Sequence, residues 1–416
     1  MIYNGYAEDG IITLFHTKDG KMKKEVVKFK PSLYFESDRD ERYKSIYGKN
    51  LKRREYSDIY SYNSGIFKAR SSKVKYYGDI DPLYQYIINR FNRKVIEIDD
   101  KIQIYNYDIE AFSLSTDEFM KPEESKAPVQ TITINEVHNG KYYVFGYEDY
   151  EVKDLVRENK KGEKYIIKKE DIIYEKFSSE VKLLKGFIKF LKHKNVQILT
   201  GYNILFYDNQ YIFNRLKRLG IESDFVDSCK ETRDGVEFGR IQSLDYQVLY
   251  KKFTQNELPK YKLDYVSEVE LGFKKIDFGY GGSFRKAYKG DFQKFIDYNI
   301  VDTMLVKLLE EKLKYIRLIF TMCNRFRCLP SDVLSLTKYW DTYLYAYNLE
   351  RNQIVCGNTP SFKTQYIGGY VKQPVLGLSD WSTLYDIESS YPTNNRRHNI
   401  SPEMIIDYDK LPDVFI

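Results

Sequence analysis

Residues 101–112, KIQIYNYDIEAF, alternate apolar and polar side chains and so read as a β-strand with one buried face. Near its end Asp108 and Glu110 stand two residues apart, which puts both carboxylates on the same side of the strand. Like charges held side by side repel unless a cation neutralises them. This strand therefore needs sheet partners and a positive species opposite its acids. Residues 129–137 and 141–147 supply strand patterns, joined by a turn at His138-Asn139-Gly140, and the three predict an antiparallel meander. A helix is expected over 180–193, capped by Ser178 or Ser179, with Val181, Leu184, Phe187, Ile188 and Leu191 on one face. A buried strand at 196–200, a helix over 209–219 closed by Gly220, a hairpin within 226–242 turning at Asp234-Gly235, and one long helix over 291–318 follow. Strands first and helices behind predict a mixed α/β sheet.

Three segments carry candidate chemistry. The first is the Asp108, Glu110 pair. The second is GYNILFYD (residues 201–208), where Asp208 follows a glycine and Asn203 at a strand–loop–helix junction suited to a ligand. The third is YNIVD (residues 298–302), in which Tyr298 and Asp302 project from one helix face at i and i+4. Taken singly, each has an ordinary reading: a solvated strand end, a helix N-cap, a core tyrosine with a surface acid. Taken in order they match the pattern of the DEDDy 3′–5′ exonucleases. Phosphodiester hydrolysis needs a water activated to hydroxide and stabilisation of an in-line transition state, and two dications about 3.5–4 Å apart supply both. Four carboxylates suit two oxygen-loving ions, Mg²⁺ or Mn²⁺, better than zinc. A tyrosine hydroxyl can orient the attacking water.

With 416 residues the chain exceeds one ordinary domain, and 42% hydrophobic content excludes wholesale disorder. Cys229, Cys323, Cys328 and Cys356 form no CxxC pair, and His16, His138, His193 and His398 are scattered. That argues against a zinc knuckle or a disulfide framework and fits a reducing cytosol. No apolar run approaches the roughly 18–20 residues of a membrane span, and the N-terminus, with Glu8 and Asp9, lacks a secretory apolar core. No membrane partner is expected. A net charge of +6 permits nucleic acid as a partner without demanding it. The basic outer face of the 180–193 helix (Lys182, Lys185, Lys189, Lys192) reads as a solvated side of a core-packed helix.

The chain resembles the family B DNA polymerases, most closely those of T-even bacteriophage type. The resemblance rests on YDIE, GYNILFYD and YNIVD, on LDYQVLYKKF (244–253) and Asn256-Glu257-Leu258-Pro259 between them, and on RYKSIYGKN (42–50). Downstream, Tyr366-Ile367-Gly368-Gly369 is similar to the family's Y-x-G-G element. YDIESSYPT (385–393) followed by NISPE (399–403) is similar to polymerase motif A. The resemblance implies that Asp108, Glu110, Asp208 and Asp302 bind the exonuclease metals, with Asp108 bridging, and that Tyr298 positions the water. It implies that Phe119 and Asn203 contact the DNA end, and that Tyr366, Gly368 and Gly369 contact the template backbone. It further implies that Asp386 is the first polymerase metal aspartate, and that Ser389, Ser390 and Tyr391 meet the incoming nucleotide, Tyr391 as the gate against ribonucleotides. Ser390 stands where the family has leucine. No K-x-x-x-N-S-x-Y-G or D-T-D-S motif is present.

The expected architecture is therefore α/β (mixed), in three parts. These are a β-rich N-terminal domain over 1–102 completed by 328–370, an RNase H-like exonuclease domain over 103–327, and the beginning of a palm over 371–416. The expected function is proofreading of single-stranded or frayed DNA ends within a split polymerase. DNA synthesis then requires a complementary chain that supplies the rest of the palm, the fingers and the thumb. The rivals are a freestanding exonuclease with a vestigial palm, and a regulator that binds RNA through the N-terminal domain. The expected location is the cytoplasm of a phage-infected bacterial cell.

Overall fold

The first residues form hairpins because their turns carry the positive φ angles that tight two-residue loops demand. Strands β1 (Ile2–Glu8), β2 (Ile11–Lys18) and β3 (Lys21–Lys28) pair antiparallel in that order. The β2–β3 turn holds Asp19 at φ 53° and Gly20 at φ 73°. A Cβ on Gly20 would lie 2.6 Å from the Lys101 carbonyl oxygen, so that hairpin tip closes directly onto the chain entering the central sheet. This computed structural model describes residues 1–91, 98–115, 120–232, 235–255, 257–277, 279–357, 368–378, 380–401 and 404. It separates into two units, Met1–Thr359 and Pro360–Ile416.

A second N-terminal sheet contains β4 (Ser32–Glu36), β5 (Tyr43–Ser45), β6 (Asn50–Glu55) and β7 (Tyr76–Tyr77), with helices α1 (Ile59–Ser71) and α2 (Pro82–Phe91) between and after them. The N-terminal part is β-rich, as expected. The sheet's fifth strand, Gln353–Ile354, comes from the far end of the unit and runs parallel to β5.

The central sheet carries the predicted meander. Strands β8 (Ile104–Ala111), β9 (Val129–Glu136) and β10 (Tyr142–Gly146) are consecutive and antiparallel. A small side hairpin, β11 (Leu155–Glu158) and β12 (Lys164–Ile167), precedes β13 (Ile172–Lys176), which lies parallel to β10. Helix α3 (Glu180–His193) then crosses back, capped by the Ser179 side chain, and β14 (Ile198–Gly201) joins β8 in parallel. Helix α4 (Asp208–Leu219) ends at Gly220, φ 62°. Short helix α5 (Ser223–Ser228), hairpin β15 (Lys230–Thr232) and β16 (Gly235–Glu237), and strand β17 (Gln242–Asp245) complete the sheet. Its order is β13-β10-β9-β8-β14-β17. The whole is a mixed α/β fold.

Alternation on β8 decides what each face does. Tyr105, Tyr107 and Ile109 pack with Leu183, Leu184, Phe187, Ile188 and Leu191 of α3, whose lysines 182, 185, 189 and 192 point outward. The in-between residues Asn106, Asp108 and Glu110 turn to the opposite face. That face is covered by helices of the second half: α6 (Tyr246–Phe253), α7 (Leu263–Leu271), α8 (Phe284–Gly290) and, centrally, α9 (Phe292–Leu313).

The single helix expected over 291–318 is two. Lys314 takes φ 56°, closing α9 and opening α10 (Tyr315–Phe326). No glycine or proline marks the break, so residue type did not announce it. Beyond lie α11 (Leu336–Leu349), the strand β18 already described (Gln353–Ile354) and, in the second unit, α12 (Ser390–Arg397). No helix among the described residues is long and apolar enough to cross a membrane.

Glu310 bridges the α9–α10 break, its Oε2 accepting from the Ile316 N–H at 3.1 Å. Burial pushes its carboxyl up to about 7, against the hydrogen bonds it accepts. Between the ordinary glutamate value of 4.5 and about 7 the folded chain keeps a proton that the unfolded chain gives up. Stability therefore falls as pH rises through that window and levels off above it. Glu310→Gln is expected to match the wild type near pH 4.5 and to melt at a higher temperature than wild type at pH 8. Thermal melts at the two pH values check this, and equal offsets at both would contradict it.

Candidate metal centre

The acidic face of β8 meets α9 across a layer of polar side chains. Asn106 donates Nδ2 to the Thr303 carbonyl at 2.5 Å, and Asn299 donates Nδ2 to Asp108 Oδ2 at 2.6 Å. These bonds bring Asp302, on the same helix, opposite the strand acids. One carboxylate oxygen from each of Asp108, Glu110 and Asp302 lies within 4.8 Å of the others. The β8–β9 register shifts just after Glu110, where Gln130 of β9 is left unopposed.

Asp208 is not in that group of three but is held against the strand that carries two of them. It is the first residue of α4, is 3% exposed, and its Oδ1 accepts from the Ile109 N–H at 3.0 Å, between the two strand acids. The loop before it is held from β17. Asp245 Oδ1 accepts from the N–H groups of Asn203 (3.0 Å) and Gln247 (2.9 Å), and Oδ2 from that of Leu205 (3.1 Å). Asn203 adopts φ 69° to make this turn. Gly201 sits so close that a Cβ there would come within 2.5 Å of the Tyr107 carbonyl oxygen.

One cation enters from the chain after α7. Lys275 Nζ lies 2.6 Å from Asp302 Oδ2 and 3.1 Å from the Tyr298 hydroxyl. Burial would lower its pKa, but Asp302 and its neighbours hold it well above the usual lysine range, so it stays charged. Burial first, then Asp208, Glu110 and Asp302, push the Asp108 carboxyl well up, with Lys275 opposing. Glu110 rises through burial and Asp302. Asp208 is pushed up to about 7 by burial, against the hydrogen bond from Ile109. Burial also raises Asp302, again opposed by Lys275. One ammonium cannot neutralise four neighbouring carboxyls, so the acids share protons.

The residues present fit divalent ions. All candidate donors are carboxylate oxygens, the preference of hard dications. Asp302 Oδ1 is buried and, among the described residues, without a hydrogen-bond partner, facing a cost that a cation would remove.

The remaining predicted positions scatter. Phe119 and Tyr366 lie outside the described residues. In the second unit Gly368, Gly369, Asp386, Ser389 and Tyr391 are exposed, and Ser390 opens α12. Among the described residues Asp386 joins no group of three ligand-type side chains. Sequence reasoning missed Lys275, Asn299 and Asp245. Lys275 is one of a dibasic pair with no periodicity to single it out. Asn299 sits inside YNIVD but off the i, i+4 pair. Asp245 lies within the quoted LDYQVLYKKF segment, where nothing distinguishes it from an ordinary helix cap.

Residues 61–266 match the family model described as DNA polymerase family B, exonuclease domain. The DNA-directed DNA polymerase of Escherichia phage RB69 is 28% identical over 422 residues, covering 95% of this chain and 46% of that protein. The corresponding polymerase of Enterobacteria phage T4 is 23% identical, again over 95% of this chain and 46% of its own length. A DNA polymerase from Pyrococcus glycovorans is 25% identical over 83% of this chain and 44% of its own. The chain thus spans about half the length of the curated relatives it matches.

Proposed function

The chain carries a family B DNA polymerase exonuclease domain, and we propose that its acid cluster removes nucleotides one at a time from the 3′ end of DNA. The observation that carries this reading is the convergence of Asp108, Glu110 and Asp302 within 4.8 Å, with Asp208 anchored on the backbone between the strand acids. Two divalent ions, Mg²⁺ or Mn²⁺, would supply a water ionised at neutral pH and offset the charge of an in-line displacement. The chain's own residues do the rest. Asp108, Glu110, Asp208 and Asp302 would hold the cations. The Tyr298 hydroxyl orients the water whose oxygen attacks phosphorus, while the bond from phosphorus to the upstream 3′ oxygen breaks and a nucleoside monophosphate leaves. Asn203, on its left-handed turn, meets the strand end, and Phe119 stacks on the terminal bases. A mismatched terminus frays more readily, which makes this activity proofreading.

Lys275 gives this site a charge that acids alone lack. Its ammonium can steady the anionic phosphorus centre once ions take over the carboxylates. Lys275→Met is expected to lower kcat by about 10²–10³-fold, as for loss of one transition-state donor, with little change in KM for single-stranded DNA. Single-turnover assays at saturating oligonucleotide check this. A change confined to KM would contradict it.

The domain layout follows the same reading: an N-terminal domain over 1–102 with 328–370, the exonuclease over 103–327, and a palm portion over 371–416. The return of β18 to the β5 edge supports the first of these. Asp386, Ser389, Ser390 and Tyr391 would form part of a polymerase centre, with Tyr366, Gly368 and Gly369 on the template. A complementary chain carrying the rest of palm, fingers and thumb would complete it in the cytoplasm of an infected bacterial cell. A second reading, RNA binding by the N-terminal domain, draws on a groove of about 450 Å³ lined by Phe35, Arg54, Tyr56 and Lys68, with Arg54 stacked 5.3 Å from the Tyr56 ring centre.

The test is digestion of a 5′-labelled single-stranded oligonucleotide in Mg²⁺. The expected products are a ladder of labelled strands shortened from the 3′ end, stopped by a chelator. No shortening, or release of the label as a mononucleotide, would overturn the proposal.

A further inference from the structure

Asn299 is fully buried in the middle of α9, among Phe295, Ile296, Ile300 and Val301, all of them fully buried too. An apolar residue would suit such surroundings better. Its Nδ2 nevertheless donates to Asp108 Oδ2 at 2.6 Å, the one hydrogen bond that Asp108 accepts among the described residues. The other end of the same amide, Oδ1, is buried with no partner among the described residues. With Asp108 ionised, as a metal ligand has to be, only the NH₂ end of the amide can bond to its Oδ2, and that is the orientation found. Asn106 likewise has a buried Oδ1 without a partner among the described residues, so what sets Asn299 apart is that its donor meets an acid.

The neighbouring contacts separate two jobs. Asn106 ties β8 to α9 through the Thr303 carbonyl without touching a carboxylate. Asn299 touches the carboxylate itself. It occupies one lone pair of Asp108 Oδ2, while Oδ1 accepts no hydrogen bond among the described residues.

We infer that Asn299 is a positioning residue for the metal centre, fixing Asp108 so that one of its oxygens is presented to a divalent cation. This rests on the reading of the acid cluster as a metal site. The amide narrows the rotation of the Asp108 carboxyl and withdraws charge from Oδ2. Partners that orient a ligand in this way typically set metal affinity by about 10–100-fold. Substrate binding, which does not involve this buried contact, is unaffected.

The experiment measures Mn²⁺ affinity of the full chain by electron paramagnetic resonance, alongside melting in chelator and exonuclease rate against Mg²⁺ concentration. Asn299→Leu keeps the volume and removes the donor, and Asn106→Leu serves as the comparison. For Asn299→Leu the Mn²⁺ dissociation constant is expected to rise about tenfold or more. The Mg²⁺ concentration for half-maximal rate should rise in step, KM for single-stranded DNA should hold within about twofold, and melting in chelator should not fall. Asn106→Leu is expected to lower melting with a smaller effect on Mn²⁺ affinity. If Asn299→Leu does not melt cooperatively, Asn299→Ala, which cannot overpack, carries the same expectation for Mn²⁺. Wild-type affinity in the folded Asn299 variant overturns this inference alone. A wild-type chain with no Mn²⁺ affinity overturns the metal reading and this inference with it.

Discussion

Asp108→Ala is expected to lower the rate of 3′-end hydrolysis by at least about 10³-fold, the scale of losing a group that acts on the transition state through bound ions. Asp302→Ala is expected to do the same. The two should differ in stability, and that difference separates a site effect from a folding effect. Asp108 sits among three other acids, and burial with their charges drives its carboxyl pKa well up. Removing it relieves repulsion at the cost of the Asn299 hydrogen bond, so melting in chelator should stay level or rise. Asp302 is the partner of Lys275, whose side chain is 27% exposed. Removing Asp302 strands a largely buried ammonium, so melting should fall. Asp302→Asn, which keeps a hydrogen-bond acceptor for Lys275, should recover most of the stability and none of the rate. The readouts are single-turnover hydrolysis in Mg²⁺ and thermal melts in chelator. Either alanine variant digesting a single-stranded oligonucleotide at the wild-type rate would remove that residue from the site.

The second large effect lies away from the acids. Arg215, on the helix that begins with Asp208, forms a two-pronged pair with Glu180 of α3: Nε to Oε1 at 2.8 Å and Nη2 to Oε2 at 2.7 Å. Its Nη1 donates to the carbonyls of Ser125 and Lys126, both at 3.0 Å, and Glu180 Oε1 also accepts from the Val129 N–H at 2.9 Å. The side chains are 10% and 13% exposed. The pair therefore pins α4, α3, the 125–126 turn and the start of β9 to one another. Arg215→Ala leaves Glu180 buried without its cation and the two carbonyls without a donor. The expected loss is about 3–5 kcal/mol of unfolding free energy. Arg215→Lys keeps the charge without the fork and should recover only part of it. Urea denaturation checks both, and a loss below about 1 kcal/mol for Arg215→Ala would assign the pair the small value of an exposed ion pair.

The sequence carried the site further than it carried the fold around it. Spacings of two on a strand and four on a helix are local. Asp108 with Glu110 and Tyr298 with Asp302 could therefore be read directly, and the structure places each pair on one face. The stripe on α3, the Gly220 cap and the meander were legible for the same reason. Lys275 was not, because it arrives from a segment between helices and its meaning exists only once α9 is in place. Asn299 works through a hydrogen bond to Asp108 and Asp245 through bonds to the 203–205 loop, groups far away in the chain, and no periodicity encodes that. The break at Lys314 was invisible because a lysine in the left-handed region has no signature in residue type.

The measurement that bears most directly on the whole account is anomalous diffraction from crystals of the chain grown with Mn²⁺ and a short single-stranded DNA. The account predicts manganese bound by carboxylate oxygens of Asp108, Glu110, Asp208 and Asp302, with the DNA 3′ end beside them. Manganese bound elsewhere, with Lys275 still seated on Asp302 and the DNA end remote from β8, would contradict it.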